Sequence, residues 1–216
     1  MTVVKHIIWD WNGTLFDDRD TVLRASAVVF KGTEAEGVTA AEIIAAYTRP
    51  IWVTYETLLG RPLREGEWER MDRLFHLAYE ELMETCLLTG DCLPALNRVA
   101  ERGLGQSILS MAGHEHLTST VGKFGITPFF ALVDGLRDAP AGGGKAEHMV
   151  RHAAALGVAP SDLVVIGDAA DDALAAAHIG ASAVLYTGGM QRREELELSG
   201  APVVDSLLEA LDLAGI

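Results

Sequence analysis

Four polar residues of this chain could together bind a small anion and a metal ion. Asp10, Ser110 and Asp168 each follow a short apolar segment, and Lys145 follows a glycine-rich stretch, residues 142–144. A carboxylate can act as a nucleophile or a metal ligand, and a hydroxyl or an ammonium group can hold anionic oxygens. Taken alone, each residue is explained at least as well by a turn, a loop hydroxyl, a helix cap or a solvated helix start. Their order along the chain predicts a site built at the ends of strands, where open α/β sheets bind ligands.

The charge and the cysteines of the chain restrict its class. The formal net charge is −14, which argues against a nucleic-acid or anionic membrane partner, since lysine and arginine bind such surfaces. Cys86 and Cys92 match neither a zinc spacing nor a disulfide framework. The start of the chain is not typical of a signal peptide, and no apolar stretch reaches the roughly 18 residues of a membrane span. We therefore predict a cytoplasmic protein.

Short apolar segments alternate with helical patterns from Gly105 onward. Segments that are apolar on both faces are typical of strands buried in a parallel sheet. The alternation predicts an α/β fold with a doubly wound parallel sheet. The predicted strands are Val3–Trp9, Ser107–Leu109, Ala131–Val133, Leu163–Ile166, Ala183–Tyr186 and a short edge strand at Val203–Val204. The predicted helices of this part are His114–Phe124, Lys145–Leu156, Asp172–Ile179 and Ser206–Leu213, with a further helix opened by Pro94.

Residues 18–89 interrupt this alternation, because they carry only helical signals. The clearest is an apolar stripe at steps of three and four residues, formed by Trp68, Met71, Phe75, Ala78, Leu82 and Cys86. The pattern predicts a small helical domain, residues 18–89, inserted into a core formed by residues 1–17 and 90–216.

The polar residues and the segments around them resemble the haloacid dehalogenase superfamily. Asp10-Trp11-Asn12-Gly13-Thr14-Leu15-Phe16-Asp17 is similar to its first motif, and the strand that ends at Ser110 is similar to its second. Lys145 matches the third motif, although Ala146 replaces the proline that often follows the lysine. Gly167-Asp168-Ala169-Ala170-Asp171-Asp172 matches the fourth. The chain most closely resembles phosphoglycolate-phosphatase-like members, in which the inserted helical domain forms a cap.

This resemblance implies a phosphatase that forms an aspartyl phosphate on Asp10 and depends on Mg²⁺. Asp172 would orient Lys145 or metal-bound water. The implied catalytic residues are Asp10, Asn12, Ser110 and Lys145. The implied metal ligands are Asp10, Asn12 through its backbone carbonyl, Asp168 and Asp172. The implied substrate-binding residues are Gly13, Thr14, Met111 and, in the cap, Arg49.

One position departs from the phosphatases that the chain resembles. They carry aspartate at position 12, where it protonates the leaving oxygen and then activates water. Asn12 can form hydrogen bonds but cannot carry that proton. The sequence therefore predicts a hydrolase for a small phosphorylated metabolite, active as a monomer or homodimer, in which Asn12→Asp raises turnover. A phosphotransferase or mutase, and a catalytically silent protein that binds a phospholigand or a partner protein, are the alternatives.

Overall fold

The computed structural model describes residues 4–137 and 144–216, and its centre is a six-stranded parallel sheet. The strand order is β5-β4-β1-β6-β7-β8. These strands are β1 (His6–Trp9), β4 (Gly105–Gly113), β5 (Leu132–Leu136), β6 (Leu163–Gly167), β7 (Ser182–Tyr186) and β8 (Val203–Val204). A second, antiparallel pair consists of β2 (Phe16–Asp17) and β3 (Leu87–Leu88).

Helices cover both faces of the parallel sheet, so the doubly wound α/β fold predicted from the sequence is confirmed. Ile7 and Trp9 face one layer of helices, and Ile8 faces the opposite layer, as the two-residue period of a strand requires. The helices of this part are α5 (Cys92–Glu101), α6 (His114–Lys123), α7 (Lys145–Leu156), α8 (Ala170–Ile179), α9 (Arg193–Glu197) and α10 (Leu207–Leu213).

Several predicted boundaries were wrong. Strand β4 continues to Gly113, so Ser110 lies inside the strand, because β4 extends past β1 and pairs with β5 through an irregularity between Leu109 and Gly113. Helix α5 begins at Cys92 and not at Pro94, and α8 begins at Ala170, two residues earlier than predicted. Val3 of the predicted first strand and Gly142 and Gly143 of the glycine-rich stretch lie outside the described residues.

Residues between β2 and β3 form four helices around their own apolar cluster. The helices are α1 (Arg19–Val29), α2 (Ala40–Ala46), α3 (Ile51–Leu59) and α4 (Glu67–Leu82). Val29, Phe30, Tyr55, Leu59 and Met71 are buried together in this cluster. The prediction that this stretch is entirely helical was wrong at Leu87–Leu88, because these residues form a strand that pairs with Phe16–Asp17. The pairing places the end of the inserted stretch beside its beginning. The predicted limits of the two domains stay a prediction.

A chain of buried polar side chains attaches helix α7, which begins with Lys145, to the sheet. His6 Nε2 lies 2.9 Å from Ser107 Oγ, which lies 2.8 Å from His152 Nε2. His152 Nδ1 and His148 Nε2 lie 3.3 Å and 3.1 Å from the same oxygen, Asp134 Oδ2. His148 and His152 share one face of α7 and join it to β4 and β5. The polar network therefore fixes the helix that positions Lys145.

We expect this network to lower stability in acid. Burial, with a smaller effect from His152, lowers the pKa of His6 from 6.5 to about 4. As pH falls, His6 therefore binds a proton in the unfolded chain before it does so in the folded protein. The contribution of neutral His6 to the free energy of unfolding is lost between about pH 6.5 and about pH 4. Between about pH 7.5 and about pH 5, urea unfolding should show the wild type losing about 1–2 kcal/mol more than His6→Gln. His76→Gln, at an exposed histidine, should behave as the wild type. Equal losses in all three proteins would contradict the prediction.

In the described part of the chain, no helix combines the length and the apolar character needed to cross a bilayer.

Candidate active site

Asp10 occupies the first position after strand β1, at the carboxyl edge of the sheet. Its backbone N–H donates to the Ile166 carbonyl of the neighbouring strand at 2.8 Å, which holds the residue in place beside β6. The chain then turns back, since the Gly13 N–H donates to the Phe16 carbonyl at 2.9 Å. Trp11 and Phe16 stack with their ring centroids 5.2 Å apart and are both buried. The core thus anchors both ends of the loop that carries Asp10.

Lys145 contacts two carboxylates in this site. Its Nζ contacts Oδ1 of Asp10 and Oδ1 of Asp172, and all three side chains are almost fully buried. Burial alone would lower the pKa of Lys145, but the two carboxylates outweigh it and raise that pKa well above its usual range. The lysine is therefore a fixed positive charge directly beside Asp10. The predicted link between Asp172 and Lys145 is present as this ion pair.

Asp10, Asp168 and Asp172 form a compact acidic cluster. One carboxylate oxygen from each lies within 4.8 Å of the other two. Burial raises the pKa of Asp168 well above its ordinary value, and the charges of Asp10 and Asp172 raise it further. Lys145 supplies one positive charge against three carboxylates. An all-oxygen donor set with excess negative charge is suited to a hard divalent cation such as Mg²⁺.

The loop around Gly13 holds Asp168 in position. The Thr14 hydroxyl donates to Asp168 Oδ1 at 3.2 Å, and Thr14 is fully buried. In this geometry the Thr14 hydroxyl orients a carboxylate; its predicted contact with the substrate stays a prediction. Gly13 has φ of +74°, and a Cβ there would lie 2.7 Å from Asp168 Oδ2; a Cβ at Gly189 would lie 1.7 Å from the same oxygen. Both glycines are required because the backbone packs directly against this carboxylate.

Ser110 and Met111 lie on strand β4, next to the loop of Asp10. Trp9 of β1 pairs with Ile108 of β4, so Ser110 and Met111 lie at the same carboxyl edge as Asp10. Ser110 is buried, and its Oγ accepts a hydrogen bond from the Ala112 N–H at 3.1 Å. Met111 is partly exposed.

Asn12 is held in a hydrogen-bonded triangle with two residues that sequence reasoning missed. Its Nδ2 donates to Asp18 Oδ2 at 2.8 Å and to the Tyr79 hydroxyl at 2.8 Å. Tyr79 in turn donates to Asp18 Oδ2 at 2.6 Å, and the Gly13 N–H donates to Asp18 Oδ1 at 2.9 Å. Burial raises the pKa of Asp18, although these hydrogen bonds oppose the change. The adjacent acids Asp17 and Asp18 could have drawn attention to Asp18 in the sequence. No sequence pattern indicated that Tyr79 contacts Asn12.

Arg49 connects the inserted helical stretch to the core. Its guanidinium Nη1 lies 3.3 Å from Asp171 Oδ2, one residue before Asp172 on helix α8. Burial raises the pKa of the neighbouring Tyr47. The charge of Arg49 lowers that pKa, and the charges of Asp168 and Asp171 raise it. Arg49 thus brings a half-exposed positive charge to the rim of the acidic cluster.

Comparison with known proteins identifies the family of this chain. Residues 4–180 match the family of haloacid dehalogenase-like hydrolases, so the chain belongs to that family. The family membership inferred from the four motifs is confirmed. No curated protein matches this sequence.

Solved structures agree with this fold over almost the whole chain. A haloacid dehalogenase-like hydrolase from Streptococcus pneumoniae is 19% identical with a TM-score of 0.84, covering 99% of this chain and all of that one. A predicted phosphoglycolate phosphatase from Haemophilus somnus is 19% identical with a TM-score of 0.79, covering 99% of both chains. A predicted phosphatase from Clostridium acetobutylicum is 14% identical with a TM-score of 0.82, covering 99% of this chain and all of that one. At these identities the likeness establishes the fold.

Proposed function

We propose that this protein is a Mg²⁺-dependent phosphohydrolase that transfers the phosphoryl group of a small metabolite first to Asp10 and then to water. The observation that carries the proposal is the buried Asp10 carboxylate, which contacts the fixed charge of Lys145 at the end of strand β1. A carboxylate in that position can attack phosphorus while the ammonium group neutralises the phosphoryl oxygens.

In the first step an Asp10 oxygen forms a bond to phosphorus while the bond from phosphorus to the leaving oxygen breaks. Lys145 and Ser110 hold the phosphoryl oxygens, and Met111 supplies a backbone donor. In the second step water attacks the aspartyl phosphate and releases phosphate and the free carboxylate. Asp172 keeps Lys145 aimed at Asp10 throughout, because it contacts the same ammonium group.

A Mg²⁺ ion fits the acidic cluster on its donor chemistry. Asp10, Asp168 and the backbone carbonyl of Asn12 would hold it, with Asp172 beside them. The raised pKa of Asp168, caused by burial and by the neighbouring carboxylates, supports this assignment, since a bound cation would relieve that repulsion. When bound, the ion offsets the repulsion between a carboxylate nucleophile and a phosphate dianion.

The substrate we propose is a small phosphorylated molecule, bound under a cap made by helices α1–α4. Arg49 would contact a second anionic group of the substrate, because its half-exposed guanidinium lies at the rim of the site beside Asp171. We further propose that the protein acts in the cytoplasm as a monomer or homodimer, without a nucleic-acid or membrane partner.

The proposal is tested by assaying phosphorylated metabolites with Mg²⁺ and with a chelator. We expect turnover only with Mg²⁺. Mg²⁺ should also raise the melting temperature of the wild type and of Asp20→Asn, a change at an exposed carboxylate, but should have much less effect on Asp168→Asn. Without Mg²⁺, Asp168→Asn should melt no lower than the wild type, because the change removes repulsion within the cluster. Turnover unaffected by chelation would exclude the metal assignment.

A phosphotransferase is the second candidate, and the amide at position 12 favours it. Without a base at position 12, attack by free water on the aspartyl phosphate is slow. An acceptor hydroxyl that the site binds against phosphorus is then in a better position than water to attack, and its proton stays on the phosphoryl product. Product analysis with sugars present during turnover separates the two functions, since a transferase yields a phosphorylated sugar in place of free phosphate.

A further inference from the structure

The orientation of the Asn12 amide restricts what this site can offer a leaving group. Both hydrogens of Nδ2 have acceptors, one in Asp18 and one in Tyr79. The reverse orientation would place the amide oxygen beside the carboxylate of Asp18. An ionised carboxylate has no hydrogen to donate, so no hydrogen bond would form there. The remaining polar atom of the side chain is the carbonyl oxygen Oδ1, which accepts hydrogen bonds and donates none. Asn12 supplies neither a proton nor an N–H to a departing oxygen.

Asp18 does not take over this role in the observed arrangement. Its two oxygens accept hydrogen bonds from Asn12, Tyr79 and the Gly13 backbone, and only 3% of the residue is exposed. It contacts the Asn12 amide directly and acts on that side chain. Asp18 and Tyr79 are positioning residues that hold the amide, Tyr79 reaching the loop from helix α4.

We infer that this site takes phosphorylated substrates whose leaving group departs as a stable, weakly basic anion, such as acyl, enol or aryl phosphates. The inference rests on the proposed phosphohydrolase function and names its substrate class. As Asp10 forms its bond to phosphorus, the leaving oxygen keeps the electron pair of the broken bond and departs without a proton. The following attack by water gives dihydrogen phosphate, so the two protons of water stay on the product and no protein acid is consumed.

Alkyl phosphates are poor substrates for such a site. An alkoxide is strongly basic and needs a proton as it leaves, and a positioned acid contributes about 10²–10⁴-fold to such a step. The carboxylate of an acyl phosphate, or the oxygen of an acidic phenol, leaves without that help. The missing acid therefore selects between substrates by the basicity of the leaving oxygen.

The test is the dependence of kcat/KM on leaving-group basicity, measured with Mg²⁺ on phosphates of matched size. Para-substituted phenyl phosphates vary phenol acidity with little change of shape, and acetyl phosphate is paired with ethyl phosphate. Along the phenyl series, we expect kcat/KM to fall steeply as the leaving phenol becomes more basic. The slope of kcat/KM against phenol basicity should be close to the slope for the uncatalysed reaction of the same series. Ethyl phosphate should be slower than acetyl phosphate by at least about 10²-fold.

Tyr79→Phe removes one of the two acceptors that hold the Asn12 amide. The amide can then turn an N–H toward the leaving oxygen, so kcat/KM should rise for the poorest leaving groups more than for the best. Tyr55→Phe is the control, since Tyr55 is buried in the cluster of helices α1–α4, and it should leave the slope unchanged. A slope near zero in the wild type, or equal rates for acetyl and ethyl phosphate, would overturn the inference while the phosphohydrolase function stands. Absence of turnover throughout the series would overturn the proposed function itself.

Discussion

Asp10→Asn is expected to lower phosphatase turnover by about 10³-fold or more, the size of loss seen when a catalytic nucleophile is removed. The asparagine keeps the size of the side chain, but its amide lacks the nucleophilic oxygen that would bond to phosphorus. Initial rates on the best phosphate of the substrate screen measure the effect. Intact-mass spectra of rapidly quenched reactions should show a phosphoryl adduct on the wild type and none on the variant.

Asp17→Asn is the matched control for this change. Asp17 lies in strand β2, directly after the loop that carries Asp10. Its side chain is exposed, and its backbone pairs with Leu87 in the short antiparallel ribbon. The control should keep wild-type turnover and the phosphoryl adduct. Unchanged turnover of Asp10→Asn, with circular dichroism showing both variants folded, would exclude Asp10 as the nucleophile.

The second large effect is expected from exchanging the amide and the acid of the Asn12–Asp18 pair. Asn12→Asp alone puts two carboxylates where a hydrogen bond of 2.8 Å now joins Asn12 to Asp18. Two carboxylates that close cannot both be ionised, so the single change should lower stability by about 1–3 kcal/mol. The sequence-based expectation that Asn12→Asp simply restores an acid must therefore account for Asp18.

The double variant Asn12→Asp/Asp18→Asn avoids this repulsion. An asparagine at position 18 can donate its N–H to the new carboxylate at position 12 and accept from the Gly13 N–H, so each hydrogen bond of the pair keeps one donor and one acceptor. We expect kcat/KM for an alkyl phosphate to rise by about 10²-fold over the wild type, the contribution of one positioned acid. The single variant should gain less and unfold at lower urea concentration.

Rates for alkyl and nitrophenyl phosphates, measured for the wild type, both single variants and the double variant, separate chemistry from stability. A gain confined to the alkyl phosphate shows that position 12 faces the leaving group. If the double variant is folded but no faster than the wild type on the alkyl phosphate, position 12 does not act on that oxygen.

The sequence alone was sufficient for the class of fold and for the family, because both depend on local patterns. Strands buried on both faces must be apolar throughout, and the segment ending at Trp9 has that pattern and lies between two parallel neighbours in the sheet. The contact of Lys145 with Asp10, 135 residues apart, agrees with the rule that ligands gather at the carboxyl ends of such strands.

Boundaries that depend on pairing between distant segments could not be read locally. Ser110 lies inside β4 because β4 pairs with β5 on both sides of it, at Leu109 and again at Gly113. Leu87–Leu88 form a strand because Phe16–Asp17 provide the partner. Cys86 continues the apolar stripe of helix α4, yet the helix ends at Leu82 as the chain turns into that ribbon.

The sequence also determined that residue 12 is an amide, but only the tertiary structure decided what this amide does. Tyr79 is 67 residues away and reaches Asn12 only because helix α4 packs back onto the loop. Asp18 is near in sequence, but the turn at Gly13 is what brings its carboxylate to Nδ2. A hydrogen bond depends on distance and direction between atoms, and residue type alone specifies neither. The identity of residue 12 was therefore visible in the sequence, whereas the direction in which its hydrogens point was fixed by folding.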